Sequence, residues 1–234
     1  MIFRINLATL VPLLFAMIGW LVGGVTLSGA AAGFVVAFAL FYCIGQGAFI
    51  ALVAVFTTTW LATRFGYARK QRLGVAESRR GRDARQVFAN LAVAAACAAL
   101  FRWTLQSWAT AAALAVLAEV AADTVSSECG QAWSTHTYLV TNFRSVAAGT
   151  DGGISIAGTS AGIFAAIVTT LTAVAAHAIS PLSSLAVVLG AIAGSFIDSL
   201  LGATLERRGI LGNNSVNFIS TLSAAVIASL VALV

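Results

Sequence analysis

Residues 106–128 read QSWATAAALAVLAEVAADTVSSE. A helix over 106–125 has about the length that a bilayer crossing requires, and Ala109 to Ala118 carry no charge. Yet Glu119 and Asp123 fall inside it, four residues apart, with Ser126 and Ser127 one turn further on and Glu128 just beyond. At that spacing they can share one helix face. An ionisable group deep in lipid costs roughly 2.5–3.5 kcal/mol on insertion scales, so such groups face a polar interior. The stretch predicts a spanning helix packed within a bundle, its acids gathered at one end. No basic residue lies within a turn to neutralise them. Carboxylate and hydroxyl oxygens without imidazole or thiolate are a magnesium-type donor set. For Glu128 the plainer reading is a helix-end acid that reaches the aqueous interface.

The rest of the chain agrees. Of 234 residues, 60% are hydrophobic and 9% charged, with a mean hydropathy of +0.96, too apolar for the surface of a water-soluble domain. Only two prolines interrupt it, and 21 glycines suit close helix packing in lipid. Spans are expected near 4–22, 28–44, 46–63, 86–102, 106–125, 156–178, 182–204 and 215–233. The fold class is an all-α polytopic transmembrane bundle of about eight spans, in a single integral membrane domain over 1–234. A broken or re-entrant helix at Gly45-Gln46-Gly47 would make seven. The apolar N-terminus is read as the first span, since no small-residue cleavage site precedes a soluble chain. Cys43, Cys97 and Cys129 have no metal-ligand spacing.

Eight basic residues lie in one short loop: Arg64, Arg69, Lys70, Arg72, Arg79, Arg80, Arg82 and Arg85. The positive-inside rule places that loop in the cytoplasm. Counting outward puts the 126–155 loop, with Arg144, and the 206–214 loop, with Arg207 and Arg208, on the same side, and both termini outside. Topology alone accounts for the basic cluster, and no nucleic-acid partner is expected. A bacterial cytoplasmic membrane is the expected location, with the motif loops facing the cytoplasm.

Three further polar groupings stand out. Gly190, Gly194, Asp198, Gly202 and Glu206 recur every fourth residue along the seventh span. A helix-packing groove explains those glycines but not an aspartate in their midst. The eighth span opens on Asn213, Asn214 and Asn217, and the fourth on Asp83, Gln86 and Asn90; such groups cap helices, bridge them or bind a ligand. Between spans five and six, Gly149, Thr150, Gly152, Gly153 and Ser155 precede a glycine-rich helix start, an arrangement suited to an anion and also to a plain turn. Arg144 upstream adds a bidentate phosphate donor. His136 and His177 are bystanders.

In order, Arg82-Asp83-Ala84-x-Gln86-Val87-x-Ala89-Asn90, Asp123-Thr124-x-Ser126-Ser127-Glu128-x-Gly130, Gly149-Thr150-x-Gly152-Gly153-x-Ser155, Gly194-Ser195-x-x-Asp198-Ser199-Leu200-Leu201-Gly202-Ala203 and Asn213-Asn214-x-Val216-Asn217-Phe218 resemble the transmembrane protein 19-like family, which includes phytyl-phosphate kinase. The likeness covers about residues 70–220. Val125 departs from it, where the family has tryptophan.

The resemblance implies phosphoryl transfer from a nucleoside triphosphate, CTP or ATP, to an isoprenoid or other lipid monophosphate. It implies Asp123, Glu128, Asp198 and Arg144 as catalytic residues, and Glu119, Asp123, Glu128 and Asp198 as ligands of Mg2+. Asp83, Asn90, Ser126, Ser127, Gly149, Thr150, Gly152, Gly153, Ser155, Asn213, Asn214 and Asn217 would bind substrate or nucleotide. Two other classes stay open: a cytidylyltransferase acting on a lipid phosphate, and an ion-coupled transporter. The acids lie on one side and no inverted repeat is visible, which favours an enzyme. The oligomeric state is not legible in the residues.

Overall fold

The computed structural model of the chain describes residues 2–78 and 80–233, with side chains from Asn6 onward. Arg79 of the basic cluster lies outside the described residues. The helices are α1 (Ile2–Leu21), α2 (Leu27–Ala39), α3 (Gln46–Arg64), the short α4 (Tyr67–Arg72), α5 (Ala84–Thr104), α6 (Ser107–Trp133), α7 (Ile156–Ala175), α8 (Ser184–Leu201) and α9 (Asn213–Ala232). One π-helical turn, Leu40–Ile44, extends α2, and another, Gly202–Glu206, extends α8.

Among the described residues seven helices are long and apolar enough to cross a membrane; the helix before them contributes a shorter apolar stretch, Asn6–Leu21. The doubtful second and third spans are both present. Gly45, at φ 137°, separates them in a conformation only glycine adopts readily, so the chain reverses there.

Helix α6 is the axis of the bundle, packing against α3, α5, α7, α8 and α9. Ala109 to Ala122, Glu119 among them, are buried on every side, as for a largely apolar helix at the centre of a bundle. Its alanines, and glycines on its partners, allow close approach. A Cβ added to Gly162 of α7 would stand 2.6 Å from the Ala122 carbonyl oxygen, and one on Gly190 of α8 would stand 2.6 Å from that of Ala224 in α9. The glycine stripe of α8 is therefore a packing groove, as expected.

The expected end of α6 near residue 125 is corrected: the helix runs two further turns, to Trp133, because Glu128, Cys129 and Ala132 are buried by neighbouring elements. Beyond it, Thr137–Leu139 (β1), Ser145–Val146 (β2) and Gly153–Ile154 (β3) form a small antiparallel sheet in the order β2-β1-β3, an addition to the expected all-α fold.

Candidate functional site

The end of α6 meets the starts of α5, α7 and α9, the end of α8, and the 65–83 connection, all at one end of the bundle. Helix α5 is fixed there by a reciprocal cap. The Asp83 carboxylate accepts from the Gln86 N–H at 2.9 Å, and the Gln86 side chain accepts from the Asp83 N–H at 3.0 Å. Asp83, expected to bind substrate, serves here as a helix cap. Ser155 caps α7 by accepting from the Gly158 N–H at 3.1 Å, so the protein's own side chain occupies part of that anion-attracting helix end.

Two cations come to the acids from the basic loop. Lys70 of α4 is wholly buried; its Nζ donates to the carbonyls of Ala62 (3.1 Å) and Thr63 (2.8 Å) at the end of α3, and to the Glu128 carboxylate. Glu128, expected among the metal ligands, is instead seen paired with Lys70. The sequence showed no base within a turn of it, and the base arrives from 58 residues away. The second cation, Arg82, donates from Nη2 to the Thr124 hydroxyl at 3.1 Å and faces Asp123. The loop is held in place through the Arg82 backbone. Its carbonyl accepts from the Thr26 N–H at 3.0 Å, and its N–H donates to the Gly24 carbonyl at 3.1 Å.

Among the described residues, no other acid of this group forms an ion pair. Asp123 and Asp198 face one another across α6 and α8. Glu119, 1% exposed, lies beneath them beside Ser220 of α9, and Gly194 leaves it room. Glu206, on the π-helical turn of α8, lies near Asn213, Asp151 and Asp123. One oxygen of Glu119 and one of Asp198 are buried without a hydrogen-bond partner. Buried acceptors left unpaired are costly, and neighbouring carboxylates compound the cost unless protons or a cation balance them.

Oxygen-only donors with unpaired atoms suit a hard divalent cation. Among the described residues, however, no three acid, histidine or cysteine side chains converge on one ion. A four-carboxylate cage is therefore corrected. What remains fits magnesium's usual mode, in which one or two carboxylates hold it and substrate phosphates and water complete the shell.

A polar pocket of about 90 Å³ opens over Asp123, lined also by Glu77, Arg82, Gln86, Asn90, Thr124, Ser127, Glu128, Asn213 and Asn217. Asn90 donates to the Gln86 carbonyl at 2.8 Å, and Asn217 reaches Asn90 at 3.5 Å, so the amides of α5 and α9 line one wall together. Ser127 is at the pocket, but Ser126 is not: it faces α7, where its Cβ would meet one added to Gly162 at 2.9 Å. Asn214 is exposed outside the lining.

The glycine loop reaches the end of α8. Gly152, at φ 70°, packs against Ala203, and Gly149, at φ 85°, packs against Val75, so the turn and its close approaches already account for these two glycines. Thr150 donates to the Ala147 carbonyl at 2.7 Å, and Gly153 pairs in β3. Arg144 is exposed in the β1–β2 turn. Sequence reasoning missed Lys70 as a partner of the acids and Arg82 as part of the pocket. Arg82 had a signal, since it opens the first of the family-like motifs.

No solved structure matches this chain. It is 33% identical to an uncharacterized membrane protein of Methanocaldococcus jannaschii over 203 residues, covering 84% of this chain and 81% of that one. It is 31% identical to Protein VTE6, chloroplastic, of Arabidopsis thaliana over 219 residues, covering 90% of this chain and 66% of that protein. An uncharacterized membrane protein of Synechocystis is 31% identical over 190 residues, covering 79% of this chain and 74% of that one. The family model described as "Integral membrane protein DUF92" matches residues 10–225, in keeping with the resemblance carried by the motifs. The chain belongs to the DUF92 family of integral membrane proteins.

Proposed function

We propose that this protein is a membrane-embedded kinase that moves a phosphoryl group from a nucleoside triphosphate to an isoprenoid monophosphate. The observation that carries the reading is the group Glu119, Asp123, Asp198 and Glu206, gathered at one end of the bundle with two buried oxygens unpaired. The likeness to Protein VTE6 and the motif resemblance supply the substrate class.

An oxygen of the acceptor phosphate attacks the γ-phosphorus of the donor, the bond from that phosphorus to the β-bridging oxygen breaks, and the nucleoside diphosphate leaves. The acceptor is largely ionised at neutral pH, as its second pKa is about 6, so no general base is needed. Magnesium, when bound, neutralises charge on the phosphates, and Asp123 and Asp198 are the residues to hold it. Arg82 and the amides of Gln86, Asn90 and Asn217 bind and orient phosphate oxygens around the polar pocket. Arg144 and the glycine loop contact the donor, on the side taken as cytoplasmic from the positive charge of the 64–85 loop.

The test is incubation of the purified protein with a panel of prenyl monophosphates, each nucleoside triphosphate and magnesium, followed by product masses. A prenyl diphosphate is expected. A cytidylylated lipid with release of pyrophosphate would establish cytidylyl transfer instead. No product from any pair would leave the transporter reading.

A further inference from the structure

A second cavity, of about 480 Å³, lies between α1, α2, α3 and α5. Its walls are apolar, with Phe15, Leu52, Val55, Phe56 and Leu91 among them. On α3 the lining runs from Leu52 to Arg64, which is about 18 Å of helix. Its volume is that of a ligand site rather than a packing defect. Glu77, Arg82, Gln86 and Asn90 line both this cleft and the polar pocket, so the two adjoin at these residues.

Arg82 is the cation at that shared rim. Its guanidinium has five donors, one of them used on Thr124, and among the described residues it forms no ion pair. A planar fork with unused donors, at the mouth of an apolar slot, matches a phosphate carried on a hydrocarbon chain.

Gly33 is the deepest α2 residue of the lining, one turn below Gly29, which abuts the Arg82 carbonyl. A Cβ added to Gly33 would meet nothing within 4 Å, so a larger side chain there enters open space.

We infer that the lipid acceptor of the proposed reaction lies in this cleft tail-first, its phosphate held at the rim by Arg82, and that the space beside Gly33 sets the chain length accepted. The occupant is the substrate's tail, because the slot adjoins the acid-lined pocket and, of the two arginines along it, Arg64 and Arg82, it is Arg82 that lines both. This rests on the proposed function for the identity of the acceptor, but not for the existence of the slot.

Binding without nucleotide separates the two. Affinities of a homologous series of prenyl monophosphates, and of the matching prenyl alcohols, are measured on wild type, Gly33→Leu, Gly33→Ala and Arg82→Gln. In wild type, affinity should rise with chain length and then level off. Gly33→Leu should move the levelling point to shorter chains, and Gly33→Ala should do so by less. Arg82→Gln should weaken the phosphates roughly ten- to hundredfold and the alcohols hardly at all. If Gly33→Leu does not fold, the shift is read from Gly33→Ala. An unchanged chain-length profile in the folded Gly33 variants overturns the inference, as does an equal loss for phosphates and alcohols in Arg82→Gln. If the expected binding pattern holds while no nucleotide supports turnover, the kinase reading fails and the slot stands.

Discussion

Glu119 and Glu128 lie nine residues apart on one helix, both buried, and their surroundings could hardly differ more. Glu128 sits against a lysine that is itself tied to two helix-end carbonyls, so every charge there has a partner. Glu119 sits beneath two further carboxylates, with an oxygen that accepts nothing. A fully satisfied buried pair holds a structure together, whereas an unsatisfied group of like charges leaves a demand that protons or a bound cation would meet. The first is a fastening of the basic loop and the second is the candidate reaction centre.

Breaking the fastening should give the largest effect. Lys70→Met strands the Glu128 charge and removes the donor from two carbonyls, and removing one partner of a buried pair costs about 3–5 kcal/mol. Denaturation of the detergent-solubilised protein should show this, and Glu128→Leu added to Lys70→Met should recover much of it. A Lys70→Met protein as stable as wild type would erase the distinction between the two glutamates.

The reaction centre should respond the opposite way. Asp198→Asn removes a charge from a crowded group, so stability should hold or rise while turnover falls by about 100-fold or more, the scale for losing one electrostatic stabiliser. Asp123→Asn should behave alike, and in both variants the magnesium requirement should move to higher concentration. Full turnover with unaltered magnesium dependence in both would remove the metal from this site. Glu206 is not a neutral control for Asp198, because its carboxylate belongs to the same group.

Arg144→Ala tests whether the centre extends to the β1–β2 turn. A lost charged hydrogen bond costs about 2 kcal/mol, and here it should appear as weaker nucleotide dependence at constant thermal stability. Arg144→Lys should lose less, because charge survives while the two-pronged geometry does not. Earlier unfolding with unchanged nucleotide dependence would make the arginine structural.

The smallest effect belongs to Asp83. As a cap, Asp83→Ala should cost about 1 kcal/mol of stability and leave substrate affinity where it was. A marked rise in substrate KM would return Asp83 to the site.

By itself the sequence determined the helical membrane bundle, the two helices that carry Asp123 and Asp198, and the amides of α5 and α9. Each of these is local: apolar length marks a span, and spacing by threes and fours marks a face. The tertiary structure alone decided which acids are spoken for. Lys70 and Arg82 look like members of a topology signal when read in order, because loop charges carry no mark of where they will fold. Only when the 65–83 connection docks against α6 does one base neutralise Glu128 and another stand over Asp123, leaving Glu119 and Asp198 unpaired. The apolar cleft is a property of the same kind, since the gap between four helices depends on how their faces pack, and no residue's neighbours along the chain encode it.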